Sequence, residues 1–125
     1  MILTVCQRGN VRSATLATVL KDYYGQKDVI PVGYETTSPD VMKHLCDLAT
    51  VVFITKSGME AHIPPHFYHK VVLVDIGDDI WGQPMHPEIV RRCLEARLVF
   101  IHSPRVYESA EVYAQANERV FYAKR

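Results

Sequence analysis

Four short apolar runs punctuate the chain: Ile2 to Cys6, Val29 to Val32, Thr50 to Thr55, and Val71 to Asp75. Their β-branched content and their spacing between turn-forming residues predict strands. The last two are apolar throughout rather than alternating, which is the pattern of parallel strands covered on both faces. Between the runs, the period changes. Ser13 to Tyr24 sets Ala14, Leu16, Ala17 and Leu20 at helical spacing, and Gly25 ends that stretch. A turn-rich segment from Gly33 to Pro39 leads Asp40 and Val41 into a short helix that stops near Leu48. Pro87 to Ile101 carries Ile89, Val90, Cys93, Leu94, Leu98 and Ile101 on one stripe, predicting a helix that Ser103-Pro104 breaks. A last amphipathic helix is expected from about Val106 to Phe121. Strands alternating with helices predict a three-layer α/β/α domain around a parallel sheet of four strands with right-handed crossovers.

Length fits one such unit. The chain has 125 residues, 48% of them hydrophobic, which supports one core, so residues 1–125 are expected to form a single domain. Fourteen basic residues balance fourteen acidic ones. No global field therefore draws the chain to nucleic acid or to an anionic membrane, and anion recognition has to be local. Three unevenly spaced cysteines do not form a disulfide framework, and they point to a reducing compartment, the cytoplasm. The opening Met1-Ile2-Leu3-Thr4-Val5-Cys6 lacks the basic lead and the length of an export signal, and no apolar run approaches the ~20 residues that cross a bilayer.

The chemistry concentrates where the first run meets the first helix, in Cys6-Gln7-Arg8-Gly9-Asn10-Val11-Arg12-Ser13. In an open α/β sheet, ligands sit at such strand-to-helix turns. Amides from Gln7, Arg8, Gly9, Asn10, Val11 and Arg12 are placed to curl around a phosphoryl group at the positive end of the following helix. Thiolate sulfur is the reactive form of cysteine, and such surroundings favour it. Arg12 offers a planar fork for two phosphoryl oxygens, and Ser13 a hydroxyl for the departing sulfur. Gly9 and Asn10 best tolerate the positive φ that a tight loop demands. Arg8 adds positive potential or is a solvated surface residue. The competing structural reading is a buried cysteine followed by an ordinary Gly-Asn turn.

A C-x5-R-S loop at the end of a first strand resembles the low-molecular-weight protein tyrosine phosphatase family. The likeness extends through Val32-Gly33-Tyr34-Glu35-Thr36, through Leu48 to Thr55, and through Val74-Asp75-Ile76-Gly77-Asp78-Asp79, which is similar to the stretch that carries the family's general acid. It fits a small branch in which an Asp-Ile-x-Asp-Asp segment precedes a Pro-Glu helix start, here Pro87-Glu88. The resemblance implies a phosphatase-like fold, hydrolysis of phosphomonoesters through a phosphocysteine, no cofactor, and a phosphorylated protein or small phosphomonoester as partner. There are departures. Gly9 and Asn10 lie three and four positions after Cys6, one later than is usual, Val11 stands where the family often has a second cysteine, and Asp78-Asp79 replaces an Asp-Pro pair.

Expelling an alkoxide or phenoxide calls for a proton donor, and a loop after the fourth strand reaches the same sheet end as Cys6. Asp75, Asp78 and Asp79 are the candidates. Asp78 aligns best with the family's acid, Asp79 is the alternative, and Asp75 is expected to cap or brace the loop. Trp81 is either a pocket wall or an anchor for that loop, and Tyr34 and Tyr68 hint at an aromatic mouth. His62, His66 and His69 are close in sequence, but Pro64-Pro65 disrupts any helix that would align them, so no metal is assigned. Cys46 and Cys93 fall on apolar helix faces and read as core. Two other classes compete: a phosphate-binding or phosphocarrier module without hydrolysis, and an arsenate reductase, which would need two further thiols close to the loop.

Overall fold

Strand β1 (Ile2–Cys6) is buried along its whole length and pairs in parallel with β2 (Val29–Gly33) on one side and β3 (Val51–Ile54) on the other. The computed structural model describes residues 1–100 and 106–124. Strand β4 (Val71–Leu73) adds to β3, giving an all-parallel sheet of order β2-β1-β3-β4. Among the described residues, four α-helices accompany it: α1 (Arg12–Asp22), α2 (Pro39–Leu48), α3 (Pro87–Glu95) and α4 (Ala110–Ala123).

Alternation along the strands divides the interior into two cores. On one face Ile2 and Phe53 join Leu16 and Leu20 of α1, Ile89 and Cys93 of α3 and Tyr113 of α4. On the other, Leu3, Val5, Val52 and Ile54 meet Met42 and Cys46 of α2 and Met59, Ile63 and Phe67 of the segment before β4. Adjacent side chains of a strand point to opposite faces, so β1, β2 and β3 each feed both cores and the sheet becomes the middle of three layers. That is the three-layer α/β/α, four-stranded parallel architecture expected from the pattern of runs. Among the described residues, no helix is long and apolar enough to cross a membrane.

Several boundaries differ from expectation. Strand β4 stops at Leu73, and Val72 and Leu73 are 42% and 45% exposed. They lie on the sheet's edge, so a uniformly apolar run there did not mean cover on both faces. Helix α3 ends at Glu95, followed by Arg97 at φ 49°, because an arginine in the left-handed region terminates the helix before the apolar stripe does. The expected end of that stripe at Ile101 and the Ser103-Pro104 break lie outside the described residues. Helix α4 starts at Ala110 rather than near Val106, since Ser109 is the residue that caps it by accepting from the Val112 amide at 3.2 Å. Around His62 to His69, two 3₁₀ turns, Met59–His62 and Pro65–Lys70, replace a plain loop.

Candidate active site

The order β2-β1-β3-β4 reverses direction at β1: the chain moves outward to β2, then returns to β3 on the other side. Such a switch point opens a crevice at the carboxyl ends of the strands. Cys6 closes β1 at this point and is 2% exposed.

The loop from Cys6 to Arg12 folds back over its own sulfur. The Gly9 amide donates to Cys6 Sγ at 3.1 Å, and Ser13 Oγ lies 3.1 Å from the same sulfur. Ser13 is itself held from behind, because Thr4 Oγ1 donates to the Ser13 carbonyl at 2.8 Å. The turn is tight because two glycines meet. Gly9 has φ +80°, and a Cβ on it would lie 2.5 Å from the Gly33 nitrogen, while a Cβ on Gly33 would lie 2.2 Å from the Arg8 carbonyl carbon. The later position of the Gly-Asn pair thus sets Gly9 where the loop presses on the end of β2. Asn10 does not take a positive φ: among the described residues, Met85 and Arg97 are the non-glycines that do. The expectation that Asn10 serves there is corrected, because Gly9 alone absorbs the turn.

The rest of the loop is braced on the segment after β2. The Tyr34 and Glu35 amides donate to the Cys6 and Gln7 carbonyls, both at 3.0 Å, and Gln7 Nε2 donates to Glu35 Oε1 at 2.7 Å. Thr36 Oγ1 donates to the Arg8 carbonyl at 3.2 Å, and the residues Arg8 and Asn10 are exposed. Val11 precedes α1 and supplies no side-chain cap, whereas α2, α3 and α4 are capped by Ser38, His86 and Ser109. The first amides of α1 thus reach the loop with no side chain of the helix's own on them, at the positive end of the helix dipole.

Arg12 is 4% exposed. Its Nη1 donates to the Gly77 carbonyl at 2.8 Å, yet its buried Nε has no acceptor. A buried guanidinium with an unspent donor is costly unless an anion completes it. The Gly77 contact also ties Arg12 to the loop after β4. That loop is fixed by the Ile76 and Gly77 amides, which donate to the Thr55 carbonyl at 2.9 and 3.1 Å, and by Arg92 Nη1, which donates to the Ile76 carbonyl at 3.0 Å.

A cleft of about 370 Å³ opens above this floor, lined by Gln7, Arg12, Tyr34, Lys56, Met59 and His62 together with Ser57, Gly58, Asp78 and Asp79. Asp78 and Asp79 therefore share the cleft with Arg12, while Asp75 is exposed and does not line it. Lys56 hydrogen-bonds and ion-pairs with Asp78. This bond and charge of Lys56, with a smaller contribution from Arg12, hold the Asp78 carboxyl below the usual carboxylate range. Asp79 Oδ1 accepts from the Gly82 amide at 3.2 Å, so it does the bracing that was expected of Asp75. Trp81 is not a cleft wall. The Arg92 guanidinium lies over its ring, 4.9 Å from the centroid, and the His86 ring is 5.8 Å away, which makes it an anchor for its loop. Of the expected aromatic mouth, Tyr34 is present and Tyr68 is not. The partner of Tyr34 is His62, stacked on it at 3.8 Å and 11°.

Cys46 and Cys93 are buried core residues, and all three cysteines are free. Burial pushes the Cys46 and Cys93 thiols up, so neither is an activated sulfur. The described residues hold no group of three or more metal-ligating side chains. Lys56, with Ser57, Gly58 and Met59 after it, lines the cleft and was missed by sequence reasoning: Lys56 follows a strand with no motif, and its pairing with Asp78 spans 22 positions. No protein-family model, curated protein or solved structure matches this chain.

Proposed function

We propose that this chain is a cysteine-dependent phosphomonoester hydrolase, similar to the low-molecular-weight protein tyrosine phosphatases, that acts in the cytoplasm on a phosphorylated protein or a small phosphomonoester. The observation that carries this reading is the buried Arg12 guanidinium with its unpaired Nε, set in the same loop as a sulfur that already accepts the Gly9 amide and faces the Ser13 hydroxyl. A tetrahedral oxyanion satisfies what the protein leaves unsatisfied, and it brings phosphorus against Sγ.

The chemistry follows from that placement. Cys6 Sγ attacks phosphorus, and the S–P bond forms as the P–O bond to the leaving group breaks. A protonated Asp78 gives its proton to the leaving oxygen, an effect typically of 10²–10⁴-fold in rate. Asp78 then takes a proton from water as that water attacks phosphorus. The S–P bond breaks, orthophosphate departs, and the Ser13 hydroxyl donates to the returning thiolate. Arg12 and the loop amides follow the phosphoryl oxygens through both steps.

Cys6→Ser should reduce hydrolysis of 4-nitrophenyl phosphate to background while orthophosphate or vanadate still binds, measured by calorimetry. Full turnover in Cys6→Ser rules the mechanism out. One observation favours a second reading, binding without hydrolysis: Lys56 holds Asp78 as a carboxylate. On that reading the parent protein binds vanadate but turns over no aryl phosphate, and a phosphocarrier would further show a stable phosphocysteine after incubation with a donor.

A further inference from the structure

We propose that Lys56 is a shared counter-ion, paired with Asp78 before substrate binds and with the phosphoryl oxygens afterwards, so that substrate entry itself releases Asp78 to carry a proton. The proposal rests on the phosphomonoesterase reading of the Cys6 loop and deepens it.

Register places Lys56 within reach of both partners. Ile54 of β3 pairs with Val5 of β1, and Thr55 Oγ1 donates to the Val5 carbonyl at 2.9 Å, so Lys56 emerges beside the start of the Cys6 loop on the adjacent strand. Neighbouring strands are about 4.8 Å apart, a gap that the four-carbon lysine stem spans easily. Thr55 also receives the Ile76 and Gly77 amides, which brings the Asp78 loop to the same point. Lys56 therefore stands between the loop that would hold the phosphoryl group and the carboxylate that would protonate the leaving oxygen.

The existing pair is easily exchanged. Lys56 and Asp78 side chains are 45% and 72% exposed, and solvent-exposed pairs are weak. A phosphoryl dianion carries twice the charge of the carboxylate and can take the ammonium from it. The two cations that lower Asp78, Lys56 first and Arg12 after it, are both drawn to the phosphoryl oxygens, and the carboxylate loses their stabilisation. Asp79 shares the cleft with Asp78, and Arg92 remains held by the Ile76 carbonyl, the Glu88 carboxylate and the Trp81 ring. His62 lines the same cleft but is stacked on Tyr34. Asp78 accordingly takes a proton from solvent once the substrate is seated, and it passes that proton to the leaving oxygen as the P–O bond breaks. The acid is armed by the substrate rather than held ready.

The test needs no turnover. The Asp78 side-chain carboxyl is titrated by ¹³C NMR in the parent protein and in Lys56→Met, each with and without saturating orthophosphate. In the parent, orthophosphate should move the Asp78 midpoint upward, and by linkage the affinity for the phosphate dianion, corrected for its fraction at each pH, should rise as pH falls through that midpoint. In Lys56→Met the midpoint should start higher, the ligand-induced movement should shrink to less than half, and orthophosphate affinity should drop roughly threefold to tenfold. Lys56→Arg should restore most of the coupling. Equal ligand-induced movement in the parent and Lys56→Met overturns the shared counter-ion. Failure of the parent to bind orthophosphate at all is a different result, one that overturns the phosphatase reading and this proposal with it.

Discussion

Gly9 and Gly33 show how much of the site depends on two absent side chains. A methyl group on Gly9 meets the Gly33 nitrogen at 2.5 Å and the Val32 carbonyl carbon at 2.8 Å, both backbone atoms with no rotamer to yield, and φ is +80° besides. Gly9→Ala should lower stability by about 2 kcal/mol or more. Because the Gly9 amide is also the donor to Cys6 Sγ, the same variant should weaken orthophosphate binding. A urea titration combined with calorimetry checks both, and unchanged values in both would show that the loop does not need this contact. The loop residues were legible in the sequence because Cys6, Arg12 and Ser13 fall within one stretch of eight residues and their chemistry is specific to anions. What makes the loop rigid was not legible. The approach of Gly9 to Gly33 and the pairing of Lys56 with Asp78 join residues 24 and 22 positions apart, and each partner alone is an ordinary glycine or a surface charge.

Helices and strands divide between those that present the site and those that support it. α1 enters from Val11 without a side-chain cap, and this leaves its first amides toward the Cys6 loop. α2 is conventional: Ser38 Oγ accepts from the Val41 amide at 3.3 Å, Pro39 opens the helix, and Asp40 sits in its first turn. Ser38→Ala should therefore cost about 1 kcal/mol of stability and leave orthophosphate affinity unchanged, since Ser38 does not line the cleft. A loss of affinity in that variant would mean that α2 supports the site directly. At this scale, periodicity found all four strands and the four helices, and it erred at ends. β4 and α3 both ran too long because apolar residues continue past the last strand or helix residue: Val74 follows β4 and is still buried, and Arg97 leaves the helix in a left-handed turn before Leu98. Hydrophobicity reports burial averaged over a segment, whereas an end is set by one residue's backbone.

Across the whole molecule, ionisable groups in the core and in the cleft give stability opposite dependences on pH, and the core's is testable. The core shared by α1, α3 and α4 encloses Cys93 and Tyr113, both ionisable and both buried. Burial pushes the Cys93 thiol well above its ordinary value of 9.0, and burial, with the charge of Asp22 adding to it, pushes the Tyr113 phenol well above 10.0. Each group is neutral when protonated, so folding favours the protonated form. Below pH 9 both states hold these protons, and the groups make no pH-dependent contribution. Above it the unfolded chain loses protons that the folded chain keeps, so the unfolded state binds fewer and stability falls as pH rises. The decline should begin near the ordinary cysteine value and steepen through that of tyrosine. Asp78 acts at the other end with the opposite sign. Its depressed value favours the folded state above the unfolded carboxylate range, and that small contribution disappears as pH falls through it, small because the side chain is exposed. Urea midpoints measured from pH 7 to 11 should thus fall more steeply for the parent protein than for Cys93→Ala combined with Tyr113→Phe, whatever the absolute stability of the double variant. Parallel curves would show that neither group stays protonated in the folded core, and that this side of the sheet admits water where the packing of α1, α3 and α4 excludes it.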